Sequence, residues 1–321
     1  MKDINTKYTF SNLKSNVSNL NFMKILITGA TGLIGKYLVR KLKENGHEIV
    51  ILTRKKTGNP NEFQWNPDQN FIEDAAFKNV ESIIHLAGAT IAKRWTKEYK
   101  KELYSSRINA ANLLKSYCEK HQIKLKSFIS ASGINYYGTF TSDEILTENS
   151  PIKKLDFLAE LSVDWEKSAY QFSEISERVV CLRTAMVLAK EGGSFVPLKK
   201  LTDFNLASPV GTGKQWMNWI HIEDLANMYV EAIENTLYNG SYNAVADEMM
   251  TNETFMKSMA QKSNKFFLPI PVPAFMMKLI MGEMSTIILD GSRASNEKIK
   301  STGFTFKYPN LNHALDDLIN K

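Results

Sequence analysis

The sequence from Met23 to Gly35, MKILITGATGLIG, decides the fold of this 321-residue chain. Its apolar start predicts a buried β-strand, glycines follow at every third position, and the pattern then turns helical. A glycine-rich turn between a strand and a helix offers backbone N–H groups and the positive end of the helix dipole to a phosphate. In this context a dinucleotide site is more typical than a tight turn that only packs the helix against the strand. The predicted contact residues are Gly29, Thr31, Gly32, Leu33, Ile34 and Gly35.

The end of the next predicted strand narrows the choice of cofactor. Residues 47–53, HEIVILT, predict a strand, and three cations follow it, Arg54, Lys55 and Lys56. A site that is specific for NAD usually carries an acid here, which binds the ribose hydroxyls. The guanidinium of Arg54 can instead bind a 2′-phosphate through two hydrogen bonds. We therefore predict NADP(H) in preference to NAD(H), with Lys55 and Lys56 in a solvated loop.

A second strand end contributes to the same site. Residues 80–86 predict a strand that leads into small residues, and small residues at the carboxyl end of a strand let a cofactor lie close. The predicted contacts there are Leu86, Ala87, Gly88 and Ala89. The following strand is predicted to end near Ala131, so Ser132 and Tyr137 should lie where the nicotinamide ends.

The composition is that of a globular protein of enzyme size. Hydrophobic residues make up 43% and charged residues 23%, with a net charge of +6. The lysines are scattered without a basic stripe, so we predict no nucleic-acid partner. No apolar run is long enough to span a bilayer, so we predict no membrane partner. Cys118 and Cys181 form neither a disulfide framework nor a metal pair, and a reducing cytoplasm is the expected location.

Strand and helix patterns alternate after the glycine turn, as a parallel sheet requires. We predict an α/β fold, with a Rossmann-type doubly wound parallel sheet and a smaller C-terminal substrate lobe. Residues 23–184 should form the dinucleotide-binding domain, completed by a segment near 215–246, and residues 185–321 mainly the substrate lobe. Residues 1–22 lack the apolar core of a secretory signal. They are predicted to be a disordered or loosely docked extension, unless translation starts at Met23.

The chain resembles the extended short-chain dehydrogenase/reductase superfamily from Met23 nearly to its C-terminus. Within it, the chain is most similar to the atypical epimerase family proteins, which are NAD-dependent epimerase/dehydratase-like. The similarity is carried by TGATGLIG (28–35), HLAGA (85–89), Arg94-Trp95, Ser106-Arg107, Tyr136-Tyr137-Gly138, FLAE (157–160), Trp165-Glu166, Arg183-Thr184, GTG (211–213) and WIHIEDL (219–225). A piece at about 268–316 resembles the subfamily's small extra C-terminal domain. The resemblance implies a Rossmann fold, a nicotinamide cofactor and epimerase or oxidoreductase chemistry.

The sequence departs from the superfamily pattern at the catalytic pair. Typical members carry a Tyr four residues before a Lys on one helix, so that the ammonium lowers the phenol's pKa. The matching positions here are Leu158 and Ser162. Our hypothesis is that Ser132 or Tyr137 orients or protonates the reacting oxygen instead. The alternative is that both side chains line the pocket and support the turn at Gly138.

Two functions are therefore compatible with the sequence. The first is an NADP(H)-dependent oxidoreductase or epimerase that acts on an unidentified small polar substrate. The second is a dinucleotide-binding module without turnover, either a redox sensor or an interaction protein. The missing Tyr/Lys pair favours the second more than is usual for this fold. No metal site is predicted, and the oligomeric state stays open, with a dimer as one option.

Overall fold

The structure is a computed structural model that describes residues 22–320. Its strands are β1 (Lys24–Thr28), β2 (Glu48–Thr53), β3 (Glu62–Asn66), β4 (Phe71–Ile72), β5 (Ser82–His85), β6 (Ser127–Gly133), β7 (Ser142–Leu146), β8 (Val179–Thr184), β9 (Met186–Ala189), β10 (Gly192–Gly193), β11 (Trp216–Met217), β12 (Trp219–His221), β13 (Gly240–Ala244), β14 (Met250–Thr251) and β15 (Ser292–Ala294).

The α-helices are α1 (Leu33–Glu44), α2 (Lys97–Tyr104), α3 (Ala110–Lys120), α4 (Phe157–Tyr170), α5 (Phe195–Asp203), α6 (Ile222–Glu234), α7 (Asn252–Lys262), α8 (Ala274–Met281), α9 (Thr286–Leu289), α10 (Glu297–Lys300) and α11 (Leu311–Asn320). A π-helical turn, Ser105–Asn109, connects α2 to α3. Short 3₁₀ turns span Pro67–Gln69, Asp74–Phe77, Ile134–Tyr137, Gln171–Glu174 and Gly282–Ser285.

The central feature is an eight-stranded sheet in the order β13-β8-β6-β5-β1-β2-β3-β4. Every neighbouring pair is parallel except β3 and β4. The strand order reverses between β1 and β5, because β2 lies on one side of β1 and β5 on the other. Ligands of doubly wound sheets bind at such a switch point. The predicted α/β fold class is confirmed.

The first strand explains how the sheet is buried on both faces. Ile25, Leu26 and Ile27 have no exposed surface. Successive side chains of a strand point to opposite faces, and accordingly Ile25 and Ile27 join one apolar core while Leu26 joins another. The first core includes residues of α1 and α6, and the second includes residues of α3. A continuous apolar run is what a strand covered on both faces needs.

The C-terminal part has a core of its own, built around Trp219, Phe255 and Leu315. Two small sheets, β10-β9-β12 and β11-β14, belong to this part. The chain nevertheless returns to the large sheet with β13, and β15 pairs with β7. Because β13 lies within the segment near 215–246, residues on both sides of the predicted boundary at 184/185 share the large sheet. Of the predicted extension at residues 1–22, only Phe22 falls within the described residues. No helix in residues 22–320 has the length and apolarity to span a membrane.

Candidate functional site

The glycine turn after β1 needs glycine at two of its positions. Gly29 has φ +71°, and a Cβ placed on it would lie 2.8 Å from the amide nitrogen of Ala87. A Cβ on Gly35 would lie 2.3 Å from the carbonyl oxygen of Gly29. The first glycine thus lets the turn touch the loop after β5, and the second lets α1 pack onto the turn. The first contact joins the two loops at the switch point, and the second fixes α1 against the turn.

The N-terminus of α1 is open for an anion. Its N-cap residue is Gly32, which has no side chain to cap the helix, and the first turn holds no acid. The first N–H groups of a helix have no partner within the helix. Thr31 and Gly32 are exposed, so these N–H groups and the helix dipole can reach a phosphate.

The loop after β5 is held by a chain of hydrogen bonds through His85. The His85 Nε2 atom lies 3.2 Å from the carbonyl oxygen of Arg107, which can only accept, so Nε2 carries the proton. Nδ1 then accepts from the hydroxyl of Thr28 at 2.8 Å, and that hydroxyl accepts from the amide of Ala87 at 3.2 Å. Burial lowers the pKa of His85 to about 4, which keeps the ring neutral.

The π-helical turn holds the same loop through two further hydrogen bonds. Ser106 Oγ accepts from the amide of Ala89 at 2.9 Å, and Arg107 Nη2 donates to the carbonyl of Ala89 at 2.9 Å. The guanidinium stacks 4.8 Å above the ring of Trp165. Burial lowers the pKa of Arg107 to about 10, so it remains a cation at neutral pH. The sequence alone predicted no role for His85, Ser106 or Arg107.

The end of β2 presents one unpaired guanidinium. Arg54 is exposed and makes no hydrogen bond or ion pair with any residue in the described range 22–320. Lys55 is also exposed, and its amide donates to Thr53 Oγ1 at 3.3 Å. Lys56 pairs with Glu73 at 3.1 Å. Of the three cations that follow β2, Lys56 is already neutralised by a carboxylate, whereas Arg54 is available to a ligand.

A polar cavity of about 630 Å³ opens between the end of β3 and α3. It is lined by Pro67, Asp68, Asn70, Ser105, Asn109, Asn112, Leu113, Ser116 and Tyr117. Its lining includes the amides of Asn70, Asn109 and Asn112, which suit a ligand with several hydrogen-bonding edges.

Ser132 and Tyr137 belong to a buried polar network. The hydroxyl of Ser132 donates to Glu166 Oε1 at 2.8 Å, and Glu166 is paired with Arg183. The hydroxyl of Tyr137 donates to Asn243 Oδ1 at 2.8 Å and accepts from Arg183 Nη1 at 2.9 Å. Ser132 is 3% exposed and Tyr137 is 1% exposed. The network brings both predicted catalytic residues together, with their hydroxyl protons directed to internal acceptors.

The electrostatics of the network oppose a reactive phenol. Burial raises the pKa of Tyr137, although the adjacent Arg183 acts in the opposite direction. Burial disfavours the charge of Arg183 too, but the hydrogen bonds and charge of Glu166 outweigh it and raise the pKa of Arg183 above its usual range. Tyr137 is therefore a neutral phenol at neutral pH.

Helix α4 buries the two residues that stand at the positions of the superfamily's Tyr/Lys pair. On α4, Leu158 is 6% exposed and Ser162 is 5% exposed. A Cβ on Gly133 would lie 3.1 Å from Ser162 Oγ, so this serine abuts the end of β6.

Among residues 22–320, no three His, Cys, Asp or Glu side chains come together as a metal site would need.

Comparison with known proteins assigns the family. The profile of the NAD dependent epimerase/dehydratase family matches residues 25–244. The chain belongs to the NAD dependent epimerase/dehydratase family. A second profile, a domain of unknown function called DUF1731, matches residues 272–318. The predicted resemblance, including the extra C-terminal domain, is confirmed.

Relatives of this epimerase/dehydratase family member cover more than nine-tenths of the chain. It is 35% identical over 300 residues to an epimerase family protein of Staphylococcus aureus, covering 92% of this chain and 99% of the relative. Human epimerase family protein SDR39U1 (isoform 2), solved with NADPH, superposes with a TM-score of 0.84 at 27% identity and covers 93% of this chain and 100% of that chain. A nucleoside-diphosphate sugar epimerase from Corynebacterium glutamicum gives a TM-score of 0.78 at 28% identity, over 96% of this chain and 61% of that chain.

Proposed function

We propose that this protein binds NADP(H) across the switch point and acts as an oxidoreductase or epimerase on a small polar substrate. The observation that carries the proposal is the open N-terminus of α1, which lies beside the contact between Gly29 and Ala87. Backbone N–H groups at that point are suited to a diphosphate. The NADPH in the structure of human SDR39U1, which aligns with 93% of this chain, supports the same choice of cofactor.

The remaining parts of the dinucleotide follow from the groups around the switch point. We infer that the exposed guanidinium of Arg54 binds the 2′-phosphate, because the end of β2 lies next to the glycine turn in the sheet. The cavity between β3 and α3 suits the adenine, whose edges need amide and hydroxyl partners. The loop from Leu86 to Ala89 then borders the nicotinamide half, held in place by His85 and Arg107.

The catalytic proposal is that Tyr137 or Ser132 orients or protonates the reacting oxygen. A bound nicotinamide would supply or accept a hydride. For direct proton transfer, the Tyr137 hydroxyl would first have to leave Asn243, and the Ser132 hydroxyl would have to leave Glu166. The alternative, that both support the turn at Gly138, uses these hydrogen bonds as they stand. Under that alternative the two side chains support the residues that would line the nicotinamide pocket.

The second candidate function is a dinucleotide-binding module without turnover. It is favoured by the buried Leu158 and Ser162, which replace the superfamily's acid–base pair. It is also favoured by the use of both Tyr137 and Ser132 hydroxyl protons inside the network. Screening carbonyl and sugar-nucleotide compounds for both NADPH oxidation and epimer formation separates the two functions. An oxidoreductase consumes NADPH, an epimerase interconverts epimers without net consumption of the cofactor, and the second function predicts neither.

A single substitution tests the cofactor site. Gly32 has φ −74° and ψ 176°, which any residue adopts, and Asp is among the best N-cap residues, although a Cβ on Gly32 would lie only 3.2 Å from the carbonyl oxygen of Gly29. We expect Gly32→Asp to remain folded, while its carboxylate repels the phosphates and abolishes NADPH binding. The neutral cap in Gly32→Asn is the matched control and should bind NADPH more tightly than Gly32→Asp. Undiminished NADPH binding by Gly32→Asp would refute the proposed phosphate site.

A further inference from the structure

The C-terminal lobe carries a concentration of exposed apolar side chains. Within residues 22–320, the nine most exposed large apolar side chains are 64–77% exposed. Six of the nine lie on two chain segments, 195–206 and 264–281. We call these six the lobe surface: Phe204, Phe266, Ile270, Phe275, Leu279 and Ile280.

The two segments lie side by side. The amide of Phe266 donates to Asn205 Oδ1 at 2.9 Å, and the amide of Leu268 donates to the carbonyl of Ala207 at 2.8 Å. Farther along, the amide of Gly211 donates to the carbonyl of Val272 at 2.8 Å. The second segment then runs directly into α8. The lobe surface is therefore a continuous feature rather than six scattered side chains.

Helix α8 shows that packing within the described fold does not explain this surface. Its sequence, AFMMKLIM, is apolar at seven of eight positions, yet none of the eight residues is buried. A helix with such a sequence normally buries an apolar stripe. Contiguous apolar surface on a folded protein marks an interaction site. Helix α8 therefore needs a partner outside the described residues.

The charges around the lobe surface indicate the chemistry of that partner. The two segments contain four lysines and one acid, Asp203, which is paired with Lys199 at 2.5 Å. Lys200, Lys265 and Lys278 are exposed, and none forms an ion pair with any residue from 22 to 320. The apolar side chains thus stand among free cations. This combination is typical of surfaces that lie in the headgroup region of anionic lipids.

We propose that the lobe surface docks onto a bilayer containing anionic phospholipids, whereas the sequence alone predicted no membrane partner. The apolar side chains would enter the boundary between headgroups and acyl chains, while the three free lysines pair with lipid phosphates or carboxylates. A second copy of the chain fits less well. A twofold interface would set the patch against itself and bring Lys200, Lys265 and Lys278 towards the same cations of the other copy.

Vesicle sedimentation tests the proposal with the full-length protein. The probes are vesicles of phosphatidylcholine alone and of a phosphatidylcholine–phosphatidylserine mixture. We expect the protein to pellet with the mixture, to stay in solution with phosphatidylcholine alone, and to be released by added salt. The double variant Phe275→Asp/Leu279→Asp should lose at least about tenfold in partition. Lys265→Gln and Lys278→Gln should each lose about fivefold.

The matched control carries the same chemical change elsewhere. Leu155 and Leu237 are 67% and 72% exposed and lie outside the two segments, so Leu155→Asp/Leu237→Asp should partition like the wild type. Equal melting temperatures would show that all variants are folded. Failure of the wild type to prefer anionic vesicles, or an equal loss in the control, would overturn the proposal. It would also be overturned if light scattering found a dimer that Leu279→Asp converts into a monomer.

Discussion

Glu166 and Arg183 form a two-point ion pair in the interior, with Nε 2.8 Å from Oε1 and Nη2 2.9 Å from Oε2. The pair ties α4 to β8, and the same carboxylate accepts hydrogen bonds from Ser132 and Ser241. Because the guanidinium also donates to Tyr137, every predicted catalytic hydroxyl depends on this pair. The pair is therefore the structural centre of the buried network that holds both predicted catalytic residues.

Breaking this pair should cost much of the protein's stability. In Arg183→Met the carboxylate of Glu166 stays buried without its cation, and we expect a loss of about 3–5 kcal/mol in the free energy of unfolding. Removing both charges in Glu166→Gln/Arg183→Met should cost less than the sum of the single losses, by about 1–3 kcal/mol. Urea denaturation of the four proteins measures this coupling. Additive losses would show that the two side chains do not act as a pair.

Tyr137→Phe distinguishes the two proposed roles of the network. The variant leaves Asn243 Oδ1 without its donor and removes one acceptor of Arg183, so stability should fall by about 1–3 kcal/mol. NADPH affinity should remain. A proton-donating Tyr137 requires turnover to fall by a factor of about 10²–10⁴. If turnover is kept in both Tyr137→Phe and Ser132→Ala, the catalytic role is excluded and the supporting role remains.

His85 should make the protein less stable in mild acid. Its pKa is lowered by burial to about 4 in the folded chain, against 6.5 for an ordinary histidine. The unfolded chain therefore binds a proton that the folded chain does not, and stability falls as the pH falls from about 6.5 to 4. The loss due to His85 is about 3 kcal/mol.

The measurement compares the pH dependence of unfolding in the wild type and in His85→Gln. Burial also lowers the pKa of His221 to about 4, so the difference between the two proteins is the informative quantity. We expect the variant to have the flatter profile between pH 6.5 and 4. His313→Gln, on the exposed side of α11, should retain the steeper wild-type profile. Parallel curves for the wild type and His85→Gln would contradict the assigned neutral ring.

The parts of the site that were predictable from the sequence are those encoded locally. The turn around Gly29 and Gly35 follows a strand and precedes a helix within a dozen residues, so apolar periodicity alone locates it. The loop after β5 was predictable for the same reason. The polar network was not, because Tyr137 meets Asn243 across 106 residues and Ser132 meets Glu166 across 34. The sequence around His85 and Arg107 does not distinguish them from other strand and helix residues. They act together only because the fold places both against the loop after β5.

The preference for NADPH is the central claim, and it depends on a cation that no residue in 22–320 neutralises. Arg54→Asp removes that cation and adds a repelling charge. It should weaken NADPH binding by about 5- to 150-fold, or ~1–3 kcal/mol, and should change NADH binding little. Lys55→Asp, next to it in the exposed loop, is the control for the general effect of charge and should weaken NADPH binding less.

Calorimetric titration of the wild-type protein with NADPH and with NADH, under one buffer and one salt concentration, tests the proposed cofactor preference most directly. We expect NADPH to bind more tightly, because its 2′-phosphate gains charge-assisted hydrogen bonds to Arg54. Equal affinities, or tighter binding of NADH, would contradict it.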